Sequence, residues 1–178
     1  MNDLKTLKSR SPWVVGIHDL VRRPGELKKM QLELPAPGHV GVELARVPEA
    51  SLIEVDIRLE SVSEGILATG VVSAEVTGEC ARCLGEVGYD QDFDLQELYY
   101  YRGHDAEEDA LYVVDDTIDL EQPMRDAIVL ELPFTPLCRD DCLGLCVECG
   151  FVLNDDPDHS HGEAIDPRWE ALKGLSEA

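Results

Sequence analysis

Residues 136–161 read PLCRDDCLGLCVECGFVLNDDPDHSH, and their side chains decide how the rest of the chain must be organised. The stretch holds Cys138, Cys142, Cys146, Cys149, His159 and His161, four of the six cysteines and two of the five histidines. The other two cysteines, Cys80 and Cys83, lie far upstream in GECARCLGEV, so they bear on this stretch only if the fold brings them to it. A Cys-x-x-Cys turn with a glycine just beyond it can wrap one side of a tetrahedral ion, because the tight turn aims backbone amides at the sulfurs. The pattern occurs twice, as Cys80-Ala81-Arg82-Cys83-Leu84-Gly85 and as Cys146-Val147-Glu148-Cys149-Gly150. Two such knuckles in one chain point to bound Zn2+, one or two ions, rather than to ordinary buried thiols.

The division of the eight candidate ligands is less constrained. Zinc prefers four ligands, so Cys80, Cys83, Cys138 and Cys142 make one set and leave Cys146, Cys149, His159 and His161 for a second. Two other divisions stay open: a single ribbon of the two knuckles with Cys138 and Cys142 as bystanders, or a local set from Cys138 to Cys149. His159 and His161 stand beside Asp155, Asp156 and Asp158, so they are either a ligand pair or part of a solvated loop.

Outward from this stretch, the alternation of apolar and polar residues predicts a sheet. In SLIEVDIRLE, residues 51–60, Ile53, Val55, Ile57 and Leu59 share one face opposite Glu54, Asp56, Arg58 and Glu60, with Leu52 out of phase. The run ILATGVVSAEV reads as the antiparallel return, with Gly70 as a candidate bulge, and it leads straight into Cys80. Beyond Cys83, alternation resumes through Val87, Tyr89 and Phe93, which sets the first knuckle at a hairpin tip. Further alternating runs begin at Met30 and Val40, and LYVV adds a short strand after an acidic surface loop from His104 to Asp109.

The best helix candidate is DLEQPMRDAIVLEL, with Asp119 as N-cap, Gln122 three residues on, and Leu120, Met124, Ala127 and Ile128 at helical spacing. A second short helix is expected from Asp166-Pro167, carrying Trp169, Leu172 and Leu175 on one face. The expected fold class is therefore α+β: an antiparallel sheet packed by one or two helices, followed by a cysteine-rich zinc-knuckle region. The expected division is an irregular basic arm over 1–29, sheet plus helix over 30–135, and the knuckle region with its helix over 136–178, residues 31–178 forming one folding unit.

The net charge of −22 is unevenly spread. Residues 1–30 carry seven basic and three acidic side chains, whereas the remainder carries eight basic and 34 acidic ones. An acidic body repels phosphate backbones, so direct RNA contact is expected on Arg22, Arg23, Lys28 and Lys29 of the arm, and the body suits a basic protein. The bland alternative for the acidity is solubility alone. No apolar run approaches the roughly 20 residues that span a bilayer, and the first thirty residues lack a signal peptide's apolar core. A cytoplasmic chain with free thiols and no membrane association is expected.

Four blocks in order, GECARCLGEV, IDLEQPMRDAIVLELPFTPLC, RDDCLGLCVECG and IDPRWEAL, resemble the YceD-like family, the bacterial large ribosomal RNA subunit accumulation proteins, in its actinobacterial form. The resemblance covers residues 15–175. It implies a cytoplasmic role in the synthesis, processing or stability of large-subunit ribosomal RNA, with a ribosomal precursor particle or a basic large-subunit protein as partner. Some relatives carry Cys-x-Cys where this chain has His159-Ser160-His161, and others lack the second knuckle. The residues agree with a non-enzyme, since no nucleophile stands beside a base and no Gly-rich phosphate loop occurs. The rival classes are a zinc-ribbon adaptor of transcription and a thiol redox protein using Cys80 and Cys83. A redox Cys-x-x-Cys ordinarily follows a βαβ strand, whereas this one is expected to join two strands.

Overall fold

The computed structural model describes residues 11–103 and 109–161. Within them the chain is mostly antiparallel β-sheet with a single helix, α1 (Glu121–Glu131). The alternating run becomes β5 (Leu52–Ser61), and its inward residues Ile53, Val55, Ile57 and Leu59 are no more than 2% exposed, while Leu52 stays outside at 55%. Burying side chains of this size contributes about 1.5–3 kcal/mol each, which is why the period of two decides which face meets the core.

The strand that positions everything else is β6 (Gly65–Glu79). One of its edges carries β5 along Ile66–Ala74 and then β4 (Ala45–Val47) at Thr77 and Gly78; the other carries β7 (Glu86–Tyr100) along the whole length of β6. Outside β5 lies β2 (Leu27–Pro35), outside β4 lies β3 (Val40–Val42), and β8 (Leu111–Tyr112) joins β7 in parallel, making seven strands. Gly70 is no bulge: its pairing with Ile57 and Leu95 continues an unbroken register on both edges. A Cβ there would strike the carbonyl oxygen of Asp56, so glycine is needed because the β5 backbone runs so close.

Within its described part, the irregular arm expected over residues 1–29 gives way to integrated structure. A second, two-stranded sheet pairs β1 (Val14–Gly16) with β9 (Thr117–Asp119), and Trp13, Val15, Ile17 and Leu20 are buried in the main core. The Trp13 indole N–H donates to the Pro35 carbonyl at 3.1 Å, and Gly25 N–H donates to Ser61 O at 2.9 Å. Lys28 and Lys29 belong to β2, an outer strand of the sheet, where lysines discourage edge-to-edge pairing. Large apolar side chains, not backbone propensity, draw this segment in.

Helix α1 covers the sheet against β7 and β3 with Met124 and Ile128, while Leu120 fills the core at the N-cap position. Asp119, the expected cap, ends β9 one residue earlier and accepts the Glu121 N–H at 3.1 Å; Gln122 turns instead to Asp126. Burial of the Leu120 side chain outweighs a polar cap at that position. The helix stops at Leu132, which is extended as the residue before a proline tends to be. Among the described residues no helix is long and apolar enough to cross a membrane. The helix expected from Asp166, with Trp169, Leu172 and Leu175, lies outside the described residues, as do residues 104–108 of the acidic loop.

Candidate metal centre

Strands β6 and β7 are joined at their far end by the first knuckle. Cys80 N–H donates to Gly85 O at 2.8 Å and Leu84 N–H donates to Cys80 O at 2.9 Å. The second knuckle repeats both bonds at equivalent places: Cys146 N–H to Phe151 O at 2.8 Å, and Gly150 N–H to Cys146 O at 2.8 Å. The fifth residue has positive φ in each, 59° at Leu84 and 74° at Gly150. The glycine of the first knuckle, Gly85, therefore stands one place beyond the residue that needs the left-handed conformation. Sequence spacing did not show that offset.

After α1 the chain returns to the hairpin tip. Ala81 N–H donates to Pro136 O at 2.8 Å, and the Arg82 guanidinium donates to Cys142 O at 2.9 Å and to Asp140 O at 3.2 Å. These bonds deliver Cys138 and Cys142 to Cys80 and Cys83. The ligand atoms of the four residues all lie within 4.8 Å of one another, with Cys80 and Cys142 buried. Sulfur separations are 3.8 Å for Cys80 to Cys142 and 3.7 Å for Cys83 to Cys138. Four thiolates at about 2.3 Å from a tetrahedral ion stand about 3.8 Å apart, so the set fits such an ion, and a disulfide needs about 2.05 Å. All six cysteines are free.

The second set is Cys146, Cys149, His159 and His161, again within 4.8 Å. His161 Nε2 lies 3.2 Å from both sulfurs, His159 Nε2 lies 3.3 Å from Cys149 Sγ, and the two Nε2 atoms are 3.0 Å apart. Tetrahedral bonds of about 2.3 Å to sulfur and 2.05 Å to nitrogen imply about 3.5 Å and 3.3 Å for these separations, so this set fits within about 0.3 Å. Phe151 stacks on the His159 ring at 4.5 Å, and the Glu148 carboxylate lies 3.7 Å from His161 Nδ1. Both contacts hold the rings with Nε2 turned toward the sulfurs, as outer partners of ligating histidines do. Cys149 and His161 are exposed, unlike Cys80 and Cys142.

The thiols are polarised unequally. The backbone amide of Cys83 holds the Cys80 thiol down to about 6, and the amides of Glu148 and Cys149 do the same for Cys146. Cys142 is lowered chiefly by the Asn154 side chain, whose Nδ2 donates to its sulfur at 3.1 Å. Loss of solvation, and then the sulfurs of Cys142, Cys83 and Cys80, push Cys138 up to about 12. Four thiols so crowded cannot all ionise without a cation among them. Asn154 and Arg82 were not visible as site residues in the sequence, since neither is a usual ligand type; Arg82 lies inside a knuckle, which was the one available signal.

The Cys80–Cys83 turn joins two strands and opens no helix, unlike the usual setting of a redox dithiol. Of the residues expected to meet RNA, Arg22 and Arg23 sit in an exposed turn, while Lys28 and Lys29 are consecutive in β2 and so project from opposite faces of the strand. The structure does not gather the four on one face.

A sheet whose longest hairpin carries one four-ligand cysteine cluster at its tip, with a second Cys/His cluster formed by the chain after α1, defines a β-rich protein able to hold metal ions. The chain belongs to the YceD family: the model for "Large ribosomal RNA subunit accumulation protein YceD" matches residues 68–176. It is similar to an uncharacterized protein of Mycobacterium tuberculosis, 48% identical over 167 residues that cover 91% of this chain and 80% of the relative. It is also similar to uncharacterized protein YlbN of Bacillus subtilis, 27% identical, covering 70% of this chain and 74% of the relative. A third relative, Arabidopsis thaliana "Large ribosomal RNA subunit accumulation protein YCED homolog 1, chloroplastic", is 23% identical, covering 73% of this chain and 50% of the relative. No solved structure matches the chain. Membership supports a role in ribosome biogenesis, and the family is described as an accumulation factor rather than an enzyme.

Proposed function

We propose that this protein is a non-enzymatic, cytoplasmic ribosome-biogenesis factor that acts in the synthesis, processing or stability of large-subunit ribosomal RNA, with Zn2+ in both four-ligand sets. The observation that carries the zinc reading is the pair of closed sets. Each offers four protein ligands, and structural zinc sites are closed in this way, whereas catalytic ones keep an open position. Thiolate and imidazole donors favour zinc over the oxygen-seeking Mg2+ and Ca2+. Zinc held by residues 80 and 142 would pin the hairpin tip to the chain after α1, so that the described residues, the segment around Trp13 included, fold as one unit.

The charge supports the choice of partner. A body with eight basic and 34 acidic side chains suits a basic ribosomal protein, or a precursor particle that presents one, better than naked RNA. Direct RNA contact, where it occurs, falls to Arg22, Arg23, Lys28 and Lys29. Sedimentation of the tagged protein, with crosslinking of what it touches, tests this reading. Co-sedimentation with large-subunit precursors, lost when cysteines of the first set are changed to serine, is expected. A protein that stays at the top of the gradient, in cells whose large-subunit RNA is unchanged by its removal, would overturn it. Binding to a purified basic large-subunit protein should weaken as salt rises, because exposed charges are screened beyond about 8 Å at physiological ionic strength.

A further inference from the structure

One side chain links the loop of one ligand set to a ligand of the other. Asn154 belongs to the loop that serves the second set, yet it touches the first. Its Nδ2 donates to Cys142 Sγ at 3.1 Å, while its Oδ1 accepts the Leu143 N–H and the Arg139 guanidinium, each at 2.9 Å. Its position in the chain comes from a narrow reversal. Leu145 bridges Val152, Leu153 N–H donates to Gly144 O at 2.9 Å, and the second knuckle closes the far end. Gly144 at the base, with φ of 81°, lies so near Arg82 of the first knuckle that a Cβ would stand 3.1 Å from its carbonyl oxygen.

The second set therefore has two ends of a loop in its grip. An ion held by Cys149 and His159 closes residues 150–158, and Asn154 stands at the middle of that nine-residue loop. Closing a loop removes the conformational freedom that would let the amide leave Cys142. Resting on the reading of both sets as zinc sites, we infer that Asn154 couples them: filling the more exposed Cys146, Cys149, His159, His161 set fixes the amide on Cys142 and so tightens the more buried Cys80, Cys83, Cys138, Cys142 set, in which Cys80 and Cys142 are buried and Cys138 is exposed. Coupling of this kind is reciprocal. The more buried set then holds its ion less firmly once the more exposed one has opened.

The test uses the full chain loaded with Zn2+, with release followed by a chromophoric chelator. Asn154→Leu keeps the size of the side chain and removes its N–H to sulfur without placing a charge beside the Cys142 thiolate. A double change, His159→Ala with His161→Ala, opens the exposed set. Each is expected to weaken retention at the buried set by about 10–100-fold, the usual effect of losing an outer partner of a metal ligand. Combined, they should do little more than either alone, since both act through one hydrogen bond. With Co2+ in place of Zn2+, both variants should move the thiolate-to-metal absorption of the buried set to lower energy, because a sulfur that loses its hydrogen bond gives up charge more readily. Two ions bound by the wild-type protein, with release and absorption of the buried set unchanged in both variants, or fully additive effects, would refute the coupling and leave the zinc reading intact. A wild-type protein that binds no ion refutes both.

Discussion

Replacing Trp13 by alanine should destabilise the whole protein, although the residue stands only two places from the start of the described structure. Its side chain is 1% exposed, packed in the main core, with its indole N–H on Pro35 O at 3.1 Å. Large-to-small changes of a buried tryptophan cost about 3–5 kcal/mol, and the orphaned Pro35 carbonyl adds about 1 kcal/mol. At about 2–4 °C per kcal/mol for a chain of this size, the melting temperature should fall by about 10 °C or more. Trp13→Phe keeps most of the ring and loses the hydrogen bond, so it should cost about 1–2 kcal/mol. Thermal and urea unfolding of the zinc-loaded protein, followed by circular dichroism, measures both. A loose basic arm predicts no change. If Trp13→Ala shifts stability by less than about 1 kcal/mol with the slope against urea unaltered, the segment is not part of the cooperative unit and the argument from burial fails.

Serine at both Cys138 and Cys142 should remove one equivalent of zinc and leave one, by elemental analysis of protein prepared without chelators; loss of neither would mean the first set is not a site. In metal-free protein, Cys146 should react with iodoacetamide at a rate that rises through pH 6 and levels off by about pH 7, because its thiol is held down to about 6 and is thiolate above that value. Cys138, pushed up to about 12, should still be gaining reactivity at about pH 9, and the order of the two is the check. Gly150→Ala should cost about 1 kcal/mol at φ of 74°, whereas Leu84→Gly at the equivalent place should be neutral or stabilising by up to about 1 kcal/mol; a stability series in urea distinguishes the two signs.

The strands that alternate cleanly were legible before any coordinates, because a period of two with one buried face admits one reading. Residues Ile53 to Leu59 and the hairpin that sets Cys80 at its tip show this. The short strand at residues 13–15 could be suspected from its apolar run, but β9 was read as part of the helix segment, since a three-residue strand is too short for periodicity and is specified by its pairing with β1 across the molecule. The Asp119 cap was misplaced by one residue because core burial of Leu120 outweighed capping preference. For the clusters, residue types and spacing named the eight ligand candidates, while their partition into two groups depends on Arg82 and Ala81 bonding across more than fifty residues of chain. Asn154 carried no signal, being one polar residue in an Asp-rich turn.

The pairing of Val14 with Asp119 also has a timetable. A ribosome that adds roughly 5–20 residues per second needs about 5–20 s to make the hundred or so residues between those partners. For that interval the nascent chain holds Trp13, Val15 and Ile17 with no β9 to pair β1, while the neighbouring strands β5, β6 and β7 can already form their local hairpins. The acidic residues spread along the intervening chain keep that waiting intermediate soluble by mutual repulsion. Synthesis rate thus becomes a variable in the yield of this protein, and slowing translation after residue 119 should matter less than slowing it before.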